Sequence, residues 1–115
     1  MTKDSSALAV LQKDYQRLRQ QLAHIGYISQ GSVVDRSRLR PARSGYQWTR
    51  KVKGKTITVA LTEAEFEALG EAIANQRKLS QTLRQMERVS RRILFGNRAQ
   101  TSHRKRLHQR VLGLI

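Results

Sequence analysis

The sequence predicts an α+β fold: an N-terminal helix, a small antiparallel sheet of two or three strands, a long second helix and a basic C-terminal tail. Three observations predict it. An apolar seam at alternating spacings of three and four runs through residues 5–25. A period-two alternation brackets a Lys-Gly turn within residues 45–61. A helix start signal at Thr62 then opens a second and longer seam. One small domain over residues 1–97 is expected from these elements, its two helices packed through their seams, with residues 98–115 as a basic tail that has room for a short helix.

In the first helix Leu8, Leu11, Tyr15, Leu18, Leu22 and Ile25 share one stripe, and Gly26 is the expected stop. A seam of this kind suits another helix, in the same chain or in a second copy, so a homodimer through the helices is one expectation. Next, residues 32–40 alternate with period two. They are expected to add a third strand with Arg36, Arg38 and Arg40 on a single face, until Pro41 opens a loop through Ser44 and Gly45.

The hairpin is the sharper expectation. If Lys53 and Gly54 form a two-residue turn, Trp48 faces Val59, Tyr46 faces Leu61 and Arg50 faces Ile57. The other face then carries Gln47, Thr49, Lys51, Thr56, Thr58 and Ala60. Tyr46 and Trp48 could stack on unpaired bases, but their apolar cross-strand partners favour core packing.

Thr62 followed three residues later by Glu65 is a capping box, and Leu61 with Phe66 supplies the hydrophobic staple. The seam continues through Leu69, Ala72, Gln76, Leu79, Leu83, Met86, Ser90 and Ile93, widened by Ile73 and Val89. The helix is expected to reach about Phe95 and to stop at Gly96 and Asn97. Leu107, Val111 and Leu114 would share a face in any helix of the tail.

Charge points to the partner. Of 115 residues, 23 are Lys or Arg and 8 are Asp or Glu, a formal net charge of +15. Self-repulsion at that density is relieved by an anionic partner. The cations are also segregated: residues 36–55 hold eight and no acid, residues 88–110 hold eight more and no acid, while Glu63, Glu65, Glu67 and Glu71 cluster. Solubility alone does not require such segregation. No apolar run approaches the ~20 residues of a membrane span, and the N-terminus lacks the order of a secretory signal, so a cytoplasmic protein is expected, nucleoid-associated if it binds DNA.

An enzyme is not expected, and neither is a cofactor. The three aspartates are Asp4, Asp14 and Asp35, and the glutamates are explained by capping and helix-dipole compensation. His24, His103 and His108 have no metal-ligand spacing, cysteine is absent, and no glycine-rich phosphate loop occurs. Nucleic acid is the expected partner, DNA favoured over RNA. Arg36, Arg38, Arg40, Arg43, Lys53 and Lys55 are candidates for phosphate contacts. Gln47, Thr49, Lys51, Thr56 and Thr58 are candidates for base-edge or close backbone contacts, because a β-ribbon fits the DNA major groove. Arg98, Arg104, Lys105, Arg106 and Arg110 would add contacts from the tail. The alternatives are an RNA-binding protein of a ribonucleoprotein complex and an assembly subunit that binds a transposase or self-associates through its helices.

The order of motifs adds a resemblance. Gly31-Ser32-Val33 and then Tyr46-x-Trp48-x-Arg50-Lys51-Val52-x-Gly54-Lys55-Thr56, continuing through Leu61, Glu65, Leu69, Ile73, Asn75, Arg77 and Leu79, resembles a family of small uncharacterised bacterial proteins often encoded beside transposases. It implies an accessory or regulatory role in a mobile element and a transposase or recombinase as a possible protein partner. Many members of that family hold a cysteine cluster between the two motifs. Residues 40–45 here have no thiol, so no metal role carries over. The segment from Tyr46 to Leu69 also resembles the sheet and helix of arm-type integrase DNA-binding domains, in which the sheet enters the major groove.

Overall fold

The computed structural model describes residues 3–96, and the predicted fold class holds. The order is α1 (Lys3–Ala23), β1 (Ser32–Asp35), a 3₁₀ turn (Arg36–Arg38), β2 (Tyr46–Val52), β3 (Lys55–Leu61) and α2 (Glu63–Phe95). The tail candidates Arg98, Arg104, Lys105, Arg106 and Arg110 lie outside the described residues. The described residues form two compact units, one of Ile25–Ser80 and the other of residues 3–24 with residues 81–96.

In the first unit the three strands form one antiparallel sheet in the order β1-β2-β3. Lys53 and Gly54 both take positive φ, 50° and 80°. That is the turn geometry whose twist matches the flanking strands. It sets the expected register: Tyr46 opposite Leu61, Trp48 opposite Val59 and Arg50 opposite Ile57. Since partners across an antiparallel pair share a face, Val33, Tyr46, Trp48, Val59 and Leu61 lie together on one side.

α2 covers that side. Its start is the capping box: the Thr62 N–H donates to Glu65 Oε1 at 2.9 Å and the Glu65 N–H to Thr62 Oγ1 at 3.1 Å. One turn in, Phe66 stacks on Tyr46 with ring centroids 4.5 Å apart. Further along, a Cβ on Gly70 would touch Val33 Cγ2 at 3.7 Å, and Ala72 and Ile73 are buried.

The third strand is shorter than expected. β1 stops at Asp35, whose Oδ1 accepts the Ser37 N–H at 3.0 Å and the Ser37 hydroxyl at 2.7 Å. This local capping competes successfully with the strand ladder. The chain curls into a 3₁₀ turn, so Arg36, Arg38 and Arg40 do not share a strand face.

In the second unit Leu18 is 1% exposed and is the most deeply buried side chain among the described residues. The stripe expected on the distal part of α2 is corrected at one point: Leu83 is 43% exposed, while Thr82 is buried at 4% beside Met86 at 9%. Thr82, four residues before Met86, lies ~40° from it around the helix, whereas Leu83, three before, lies ~60° to the other side. The buried stripe here therefore runs on the Thr82 side of Met86.

Candidate nucleic-acid interface

The segment before β1 is fastened to α2 and to β2 by backbone groups. Asn75 Nδ2 donates to the Tyr27 carbonyl at 2.9 Å, and the Ser29 N–H donates to the Ala72 carbonyl at 3.2 Å. Trp48 Nε1 donates to the Gln30 carbonyl at 3.0 Å. Gly31 permits that closeness: its φ is +103°, and a Cβ there would lie 2.5 Å from Trp48 Nε1 and 2.6 Å from the Thr49 carbonyl oxygen. Tyr46 and Trp48 thus share the side that α2 covers and are both half-buried, Tyr46 against Phe66 and Trp48 bonded to Gln30.

The opposite side of the sheet is open. Strand register brings Gln47, Thr49, Lys51, Thr56 and Thr58 onto it, joined by Ser32 and Val34 from β1. Lys51, Thr56 and Thr58 are exposed and Gln47 and Thr49 half-exposed. β1 pairs with β2 only as far as Thr49, so beyond it the hairpin projects as a two-stranded ribbon. At that step Gly31, Ser32, Thr49, Arg50, Lys51 and Thr56 line a shallow depression of about 440 Å³. Arg50 was missing from the sequence-based candidates because its parity assigns it to the covered side. The early end of β1 leaves it exposed at the rim.

Cations stand at both ends of this open side. Lys53 lies in the turn and Lys55 follows it. At the far end, where Asp35 pairs with Tyr46, residues 36–45 form a closed loop. The Arg36 N–H donates to the Gly45 carbonyl at 2.9 Å and the Arg43 N–H to the Arg36 carbonyl at 3.0 Å. Arg38, Arg40 and Arg43 are exposed on it, and Arg36 is half-buried. With ~3.3 Å per residue, β2 separates loop and turn by about 20 Å. No salt bridge ties up any of these arginines and lysines among the described residues.

The nearby acids have local duties. The Ser37 hydroxyl, then its N–H, hold the Asp35 carboxyl below its usual value, with Arg38 adding to the effect. The Thr62 N–H, then its hydroxyl, do the same for Glu65. Glu63 foremost pushes the Tyr46 phenol up, which places negative charge at the Leu61 end of β3. Among the described residues no group of three or more His, Asp or Glu could hold a metal ion, and no helix is long and apolar enough to cross a membrane. No family model, curated protein or solved structure matches the chain.

Proposed function

We propose that this is a non-catalytic DNA-binding protein that reads duplex DNA with the open side of its sheet. The supporting observation is the register, which gathers Gln47, Thr49, Lys51, Thr56 and Thr58 on the one side that α2 leaves uncovered, with cations at both ends that form no salt bridge among the described residues. The projecting hairpin is two strands, or ~5 Å between backbone axes, and suits a major groove ~12 Å wide. The deep, narrow major groove of A-form RNA does not admit it. Single strands are disfavoured as ligands because the open side presents no aromatic ring for bases to stack on. The resemblance to transposase-associated proteins supports the narrower reading, an accessory or regulatory factor of a mobile element.

Fluorescence anisotropy against duplex DNA, single-stranded DNA and structured RNA across a salt series tests this. A preference for duplex DNA that persists as salt rises supports the reading. Equal binding of all three that vanishes by physiological salt sinks it. A second reading, an assembly subunit acting through its helices, draws on the other unit. There Tyr15, Ser90, Ile93 and Leu94 line an apolar groove, and Leu94 is 74% exposed.

A further inference from the structure

Among the described residues β3 is an unprotected edge. The other edge, β1, spans four residues and gives way to the arginine loop, whereas β3 spans seven. Every β3 residue before Leu61 is exposed, including Ile57 at 43% and Val59 at 44%. Edge strands are normally blunted by a charge, a proline or a bulge. Residues 56–61 carry no charge and no proline, and their pairing with β2 is unbroken.

The unused backbone groups can be assigned. A two-residue turn makes Val52 and Lys55 a hydrogen-bonded pair, so Arg50–Ile57, Trp48–Val59 and Tyr46–Leu61 are hydrogen-bonded pairs as well. The N–H and C=O groups of Thr56, Thr58 and Ala60 therefore point away from the sheet.

We infer that β3 pairs antiparallel with β3 of a second copy of this chain, about a two-fold axis at Thr58. Thr58 then lies opposite its own counterpart and Thr56 opposite Ala60 of the second copy, so every outward backbone group is paired. Ile57 comes beside Val59 of the second copy, and both half-exposed apolar side chains are covered. Any other register of the same parity shortens the overlap.

Charge selects the same arrangement. Lys53 and Lys55 stand at one end of β3, and the exposed Glu63, Glu65 and Glu67 follow its other end. Antiparallel pairing sets each copy's cations beside the other's glutamates, whereas parallel pairing would set like against like. Between those ends the seam is neutral, which lets two chains of charge +15 approach. The pairing is smaller than a standard interface, and a dissociation constant in the micromolar range is expected.

The pairing makes the two-stranded ribbon part of a wider sheet and sets Lys53 and Lys55 beside glutamates, so the dimer is the DNA-free state and duplex DNA competes with it. Sedimentation equilibrium of the full chain without nucleic acid tests this, and its outcome is independent of the DNA-binding reading. Wild type should dimerise. Thr58→Pro removes an outward N–H and no bond to β2, and should weaken the dimer at least about tenfold. Ile57→Lys combined with Val59→Lys should do the same with the backbone intact, which covers failure of the proline variant to fold. The chain has no cysteine, so a single Thr58→Cys reports register. The pair's ~5.5 Å Cα separation permits a disulfide, and oxidation should link Thr58→Cys chains but not Thr56→Cys chains. The inference is overturned by a monomer at the highest soluble concentration, by a dimer that survives both sets of substitutions, or by equal cross-linking at the two positions. A lone monomer that captures a strand of another protein also overturns it.

Discussion

Gly31 shows how a single position can tie a motif to a fold. Adding one methyl group there meets the Trp48 ring and the Thr49 carbonyl at once, in a backbone conformation that side chains rarely adopt. Gly31→Ala should therefore destabilise the protein by about 2–4 kcal/mol in urea unfolding. Trp48→Phe, which keeps the ring packed and loses the bond to Gln30, should cost only about 1 kcal/mol. Gly31, Trp48 and Asn75 were all visible in the sequence as motif residues. Their joint task was not, because neither a positive φ nor a bond from Asn75 to a carbonyl 48 residues away leaves a local pattern. On the open side, Lys51→Ala should relax sequence preference at one base pair by about 1–3 kcal/mol. Arg38→Ala with Arg40→Ala should weaken all sequences alike. Anisotropy on matched and mismatched duplexes separates these outcomes, and equal weakening by both variants would remove the distinction between reader and anchor.

At the level of elements, local chemistry was the legible part. The capping box, the two-residue turn and the hairpin register followed from short spacings, and each occurs where those spacings put it. The end of β1 did not, since period-two alternation persists in residues that Asp35 and Ser37 fold into a turn. Two consequences can be measured. Lys53→Asn replaces a side chain strained at φ 50° by one suited to that turn, and should stabilise the hairpin by about 0.5–1 kcal/mol in thermal unfolding. For pH, Glu65 and Asp35 both have depressed folded values. Their contribution is complete above the unfolded carboxylate range, near pH 4, and is lost as pH falls through the folded values. Glu65→Gln should therefore flatten the acid limb of the stability profile. An unchanged limb would mean that the charge on Glu65 contributes nothing to the cap.

For the whole molecule, the charge imbalance was readable from composition, but its geometry was not. Sequence parity located the open side of the sheet, while the arginines proved to cap one end of it as a closed loop instead of lining a strand. If loop, sheet and hairpin tip act together on about six phosphates, the logarithm of affinity should fall with the logarithm of salt at a slope near −5. A slope near −2 would mean that only one cluster engages. The loop's closure has a further meaning. Its two ends are stitched by backbone groups, the N–H of Arg36 and Arg43 and the carbonyls of Arg36 and Gly45, and not by the side chains in between. The intervening residues are thus insulated from the scaffold that carries them. That makes the segment a natural graft point, where a lineage or an engineer can exchange one recognition cassette for another while the sheet stays as it is.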